Sequence, residues 1–131
     1  MAFHCVIVTP EEQTFAADIT QAIIPAYDGQ IGILTNHAPT LTKIGVGSLR
    51  VDLVGGGSRH FLVDGGIAQV KENELTILTD DATAAGKIDA EASRAALAEA
   101  EARKETDPKA AERRTHDMKK MKAALELVGK A

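Results

Sequence analysis

Apolar and polar residues alternate in short runs through most of the chain and change to a helical spacing only near its end. Phe3 to Val8 places Phe3, Cys5 and Ile7 on one face and Val6 and Val8 on the other, predicting a strand covered on both sides. Thr9-Pro10-Glu11-Glu12 breaks it. Asp18 to Ile24 predicts a second strand, with Ile19 and Ile23 on one side and Thr20 and Ala22 on the other. Pro25 should end it, because proline has no ladder donor. From Pro25 to Leu41 two turn signals, Asp28-Gly29 and Asn36-His37-Ala38-Pro39, flank the apolar run Ile31-Gly32-Ile33-Leu34. Such punctuation shapes a loop, strand and loop at an edge that meets a partner. After the short extended piece Ile44 to Gly47, Ser48 to Val54 is the clearest half-buried strand. There Leu49, Val51 and Leu53 oppose Ser48, Arg50 and Asp52. Gly55-Gly56-Gly57 turns it into Arg59 to Val63, and Asp64-Gly65-Gly66 leads on to Ile67 to Lys71. Glu72-Asn73 leads to Glu74 to Thr79, with Leu75 and Ile77 inward. Short strands with a turn signal every 8 to 12 residues or so predict an all-β sandwich or barrel.

The period changes at Ile88. Asp89 is a good N-cap, Glu91 lies in the first turn where the helix dipole favours it, and Ala90 to Glu105 holds neither Gly nor Pro. Glu99 and Arg103 form an i,i+4 pair in the favourable order. The apolar content of this helix is nearly all alanine, so its grip on any surface is weak. Thr106-Asp107-Pro108 stops it and starts a second helix, capped by Asp107, with Pro108 in the first turn and Gly129 just past the end. Met118, Met121, Leu125 and Val128 repeat at three and four and predict the seam of a two-helix hairpin or coiled coil. Extended backwards, that seam reaches Ala111 and Arg114, where large apolar residues are missing.

Composition sharpens this division. Ten of the eleven glycines and all four aromatics precede residue 87, and residues 1–86 carry ten acidic against four basic side chains. Residues 87–131 carry eleven basic against nine acidic. The expected organisation is therefore a β-sandwich domain over 1–86 and a helical hairpin over 87–131. The overall charge of −4 argues against general nucleic-acid binding. The second helix nevertheless holds Arg113, Arg114, Lys119, Lys120 and Lys122, which read first as a solvated face and, more sharply, as an arm that leaves its seat and docks on an acidic partner. Cys5 has no second cysteine to pair with and lies in a strand, which predicts a buried structural thiol in a reducing compartment. No run of about 18 apolar residues occurs, and the N-terminus lacks a basic start and a cleavage site. The expectation is a soluble chain that neither spans a membrane nor is exported.

Catalytic patterns are absent from the sequence. His4, His37, His60 and His116 are scattered, and Ser48, Ser58 and Ser93 lack a nucleophile-elbow context. The two glycine clusters precede neither a helix nor a Lys-Ser/Thr pair, so they read as hairpin turns rather than phosphate loops. His37 reads as a local hydrogen-bonding or packing residue.

Three stretches carry a family resemblance. They are Val8-Thr9-Pro10-Glu11; Gly29-Gln30-Ile31-Gly32-Ile33-Leu34 followed by Asn36-His37-Ala38-Pro39; and Phe61 to Val70 with Gly65-Gly66, closed by Ile88-Asp89. On these the chain resembles the epsilon subunit of F-type ATP synthases, called delta in mitochondria. The resemblance implies an all-β sandwich of about ten short strands followed by a C-terminal antiparallel two-helix hairpin, in a subunit that is non-catalytic by itself. It implies a rotor position in the central stalk, coupling proton flow through the c ring to ATP synthesis. Partners would be the gamma subunit, the c-subunit ring, and the beta and alpha subunits of the catalytic head. Localisation would be peripheral, on the cytoplasmic face of the bacterial plasma membrane. Asp28, Gly29, Gln30, His37, Ala38 and Pro39 are the implied ring and stalk contacts; Gln30 stands where many members have an acidic residue. Arg113, Arg114, Lys119, Lys120 and Lys122 are the implied contacts to an acidic motif of the beta subunit that inhibit ATP hydrolysis. Some bacterial members bind ATP through an I-D-x-x-R-A motif, which makes Ile88, Asp89 and Arg94 the nucleotide candidates. Arg94 comes two positions late, a swing of roughly 200° around the helix. An ATP-sensing module is therefore the alternative, with no cofactor in the leading reading.

Overall fold

The computed structural model describes residues 2–26, 29–104 and 107–128. Nine strands come first: β1 (Phe3–Val8), β2 (Gln13–Ala26), β3 (Gly29–Leu34), β4 (Thr40–Lys43), β5 (Val46–Leu53), β6 (Ser58–Asp64), β7 (Ile67–Lys71), β8 (Glu74–Leu78) and β9 (Ala82–Ala84). A single 3-10 turn, Ala85–Lys87, leads to α1 (Ala90–Ala102) and α2 (Pro108–Val128). Nine strands stand among the described residues where the family resemblance implies about ten.

The strands pair in the order β4-β7-β8-β1-β2-β5-β6-β9, and β3 joins β2 off that path. The long β2 explains how one path makes two layers. Ile19 pairs with Phe3 of β1 on one edge and Leu53 of β5 on the other, whereas Gln21–Ile23 pair with β3 and β5. Strands β1 and β3 thus follow each other along the same edge, and the sheet parts between them. One layer is β4, β7, β8, β1 and the start of β2; the other is β3, the end of β2, β5, β6 and β9. Between them lies one core, including Phe3, Cys5, Ile7, Ile19, Leu49, Val51, Phe61, Leu75 and Ile77. Phe15 and Phe61 meet edge to face, 5.4 Å apart.

The β5 pairing slips between Ile19 and Gln21. Such a bulge reverses the alternation of faces. Ile19, Ala22 and Ile24 are therefore all buried, while Ile23, expected to share a face with Ile19, is only half-buried. Nor does Pro25 end the strand: β2 continues to Ala26, with Pro25 paired to Gln30 and its carbonyl accepting from Gly45 N–H. Proline removes a donor but not an acceptor.

Glu72 and Asn73 both adopt positive φ, 52° and 62°, forming the two-residue hairpin turn between β7 and β8. Gly66 is required at its position. Its φ is 118°, and a Cβ there would collide with the carbonyl oxygen of Leu78. Thr79 is buried beside it, its hydroxyl 2.6 Å from the Gly65 carbonyl oxygen and 3.1 Å from that of Asp81. Asp64 N–H donates to the same Asp81 carbonyl, bringing the two aspartates side by side.

The helices fold back onto the sandwich. In β6, Phe61 and Val63 face the main core, and the intervening Leu62 points outward into a second cluster with Ala85, Ala124 and Leu127. Ile88 and Ala123 pack around it. Three successive apolar residues in one strand are thus explained by a sheet covered on both sides. The predicted α2 seam is only partly realised: Met118, Met121, Leu125 and Val128 are half-buried, and the fully buried positions are Ala124 and Leu127. The reason is that α2 has two partners, α1 and the outer surface of β5 and β6, and its most buried stripe faces the sheet. Asp89 caps α1, accepting from Ala92 N–H at 3.1 Å, and Asp107 accepts from Lys109 N–H at 3.2 Å. Helix α1 ends at Ala102, and the predicted C-terminal Gly129 and the helix-one residue Glu105 lie outside the described residues.

Candidate interaction surfaces

Two surfaces follow from the β3 edge. Gly29 and Gln30 are exposed at its start, beside the end of β2; Asp28 lies outside the described residues. Ala38 and Pro39 are exposed beyond its other end, with His37 half-buried. Five residue steps of strand separate Gly29 from Leu34, roughly 17 Å. The two predicted contact groups therefore form two patches, not one. The second is rigidly tied. His37 N–H donates to the Leu34 carbonyl, and Nδ1 lies 2.8 Å from the Ala38 carbonyl oxygen, so that ring nitrogen carries a proton. Thr40 donates to the same carbonyl at 2.9 Å. Asn36, at φ 64°, donates its N–H to the Asn73 side chain, which in turn donates to the Ala2 carbonyl. Exposed Leu34 and Leu41 flank this end.

The five cations of α2 implied as beta-subunit contacts divide by role. Arg114 turns toward α1: Nε donates to the Ala100 carbonyl at 2.8 Å, which also accepts the Arg103 N–H, and Nη2 donates to the Glu101 carbonyl at 3.0 Å, in the last turn of that helix. Lys120 turns inward, its Nζ 3.1 Å from Asp64 and 3.2 Å from Asp81. Arg113, Lys119 and Lys122 are exposed and make no ion pair among the described residues. Lys119 and Lys122 border a cleft of about 330 Å³ between α2 and the sandwich, together with Pro25, Gln30, Val46 and Ser48. One implied ring contact thus sits beside the basic helix.

Sequence reading missed the cluster that holds the hairpin down. His116 Nε2 is 2.6 Å from Asp64 Oδ1, although 52 residues separate them. On its other side Nδ1 is 3.3 Å from Asp117, whose second oxygen accepts from Arg103 at 2.7 Å. Arg103 also pairs with Glu99 at 3.1 Å, as the helix spacing predicts. The hydrogen bond that His116 donates to Asp64 raises the His116 pKa, burial lowers it by less, and Asp117 adds to the rise. Burial works to raise the Asp64 pKa, but hydrogen bonds and charge from His116 and Lys120 outweigh it and hold the carboxyl below its usual range. The available signal was spacing: His116 and Lys120 continue backwards, at i,i+4, the stripe of Ala124 and Leu127.

The nucleotide candidates do not converge. Ile88 packs on the second cluster, Asp89 is engaged as a helix cap, and Arg94 is exposed. Cys5 is fully buried, and burial pushes its thiol up to about 12, so it is an inert core residue. Among the described residues no group of three His, Cys, Asp or Glu is placed to hold a metal ion, and no helix is long and apolar enough to cross a membrane.

A sandwich that offers surface patches, joined to a basic helical hairpin seated on one sheet, defines an interaction module. Residues 2–85 match the beta-sandwich domain of the ATP synthase delta/epsilon chain. An ATP synthase epsilon chain of Rhodopseudomonas palustris is 41% identical over 88 residues, covering 67% of this chain and 64% of that one. One from Rippkaea orientalis is 34% identical over 134 residues, covering 98% of each. In fold, the chain is similar to a component of the Euglena gracilis mitochondrial ATP synthase structure containing OSCP, F1 and c-ring, at 23% identity and TM-score 0.86, over 97% of this chain and 81% of that one. The chain belongs to the ATP synthase delta/epsilon chain family.

Proposed function

We propose that the chain is a non-catalytic rotor subunit in the central stalk of an F-type ATP synthase, held at the membrane through the complex, on the cytoplasmic face of a bacterial plasma membrane. The patches at Gly29-Gln30 and His37-Ala38-Pro39 are the surfaces offered to the c ring and the gamma subunit, transmitting proton-driven rotation. The hairpin regulates. When it leaves the sandwich, its basic residues meet an acidic surface of the beta or alpha subunits and restrain ATP hydrolysis.

The observation that carries this reading is the division of the α2 cations. Lys120 is consumed by docking on the sandwich and Arg114 by the C-terminal end of α1, whereas Arg113, Lys119 and Lys122 stay outward. Undocking therefore adds Lys120 to a surface that already offers Arg113, Lys119 and Lys122. Replacing Arg113, Lys119 and Lys122 together by alanine leaves the docked contacts intact. In the assembled complex it should raise ATPase activity while ATP synthesis persists; an unchanged ATPase rate would refute the inhibitory role. The ATP-sensing alternative is less well supported, since Asp89 is already occupied and Arg94 faces solvent. Calorimetric titration tests it: millimolar or tighter ATP binding that disappears in Asp89→Ala would favour the sensor.

A further inference from the structure

We propose that His116, clasped between Asp64 of the sandwich and Asp117 of its own helix, is a proton-operated latch that keeps the hairpin docked at lower pH and releases it as pH rises. The geometry carries this. Both ring nitrogens face a carboxylate, Nε2 at 2.6 Å from Asp64 and Nδ1 at 3.3 Å from Asp117. Only the imidazolium has an N–H on each nitrogen; either neutral tautomer turns one lone pair toward a carboxylate oxygen.

The surrounding charges assign the roles. From the sheet come Asp64 and Asp81, and from α1 come Arg103 and Glu99, acting on Asp117. On α2 itself, Lys120 takes the second oxygen of Asp64 and the carboxylate of Asp81. Lys120 is charged throughout the physiological range and supplies a constant part of the clasp. His116 supplies the adjustable part, because its ordinary pKa of 6.5 is raised first by Asp64. A base whose pKa is higher when docked stabilises docking fully below its free pKa, and that contribution is lost as pH climbs through the raised value. Each pH unit of separation changes the docking equilibrium about tenfold. The consequence for ATPase control rests on the rotor reading; the latch does not, because it operates within the isolated chain.

Spin labels at Val54→Cys, on the exposed β5–β6 turn, and Glu112→Cys, on the exposed face of α2, report docked and open distances in the full chain. Buried Cys5 takes no label. Between pH 6 and pH 8.5 the open fraction should rise, by about tenfold per unit of pKa elevation, and the rise should vanish in His116→Gln. A second measurement follows the His116 ring protons by NMR, where Asp64→Asn should bring the midpoint down toward the free value. An open fraction constant with pH, an equal rise in His116→Gln, or a midpoint unmoved by Asp64→Asn would overturn the latch. None of these results would touch the rotor assignment, which stands on subunit association.

Discussion

Replacing Leu127 by alanine should free the hairpin while leaving the sandwich folded. Leu127 is fully buried, and its cluster partners on the sandwich side are Leu62 and Ala85, with Ala124 one turn back on its own helix. No other large side chain of α2 is fully buried among the described residues. Burial of one leucine side chain is worth about 1.5–3 kcal/mol, and its removal from a packed site costs about 2–5 kcal/mol. Here the cost is limited, because the interface can open instead of keeping a cavity. A loss of about 2–3 kcal/mol makes opening about 30- to 150-fold more frequent. Amide hydrogen exchange read by mass spectrometry separates the elements. Peptides of α2 should lose protection by that factor, while β1, β5 and β8, whose core lies on the other side of β6, keep theirs. Unchanged α2 protection would mean that Leu127 does not hold the hairpin. Loss in the strands in step with α2 would mean that sandwich and hairpin unfold together, and either result would refute the reasoning.

Further consequences concern the sandwich and its acidic corner. Gly66→Ala combines a positive φ with a backbone collision and should cost about 3 kcal/mol or more, read as a fall in denaturant midpoint; a shift within error would contradict the placement of β7 against β8. Thr79→Val removes the hydroxyl shared between Gly65 and Asp81 and should cost about 1–3 kcal/mol in the same assay. At acid pH the sign follows Asp64. Its pKa is lowered in the docked state from an ordinary 3.8, so its contribution to docking is fully present above that value and is lost as pH falls through the lowered one. The label distance should therefore open again in strong acid, and Asp64→Asn should remove that acid limb.

The sequence made the architecture readable where spacing is local. Alternation in Phe3–Val8 and Ser48–Leu53, the glycine turns, and the Asp89 and Asp107 caps all lie within a few residues of what they determine. It was silent where one residue breaks a period. The irregularity beside Thr20 reverses the faces of β2, and nothing in the local composition marks it. The hairpin seam was misjudged for a related reason. Met118, Met121, Leu125 and Val128 look like an isolated helix pair, yet α2 also answers to Leu62, an outward apolar residue in a strand. The interaction patches were legible as punctuated turns around β3, but not their separation to its two ends. The acidic corner needed three dimensions: Asp64, Asp81 and His116 are brought together by the β6–β9 pairing and the return of α2.

A place in the rotor is read from subunit association. The full chain, affinity-tagged at its N-terminus and expressed in its own organism, can be recovered from solubilised membranes and its companions identified by mass spectrometry. Gamma, beta and c subunits should be recovered in fixed stoichiometry with the tagged chain. Recovery of the chain from the membrane fraction without gamma and c subunits would contradict it.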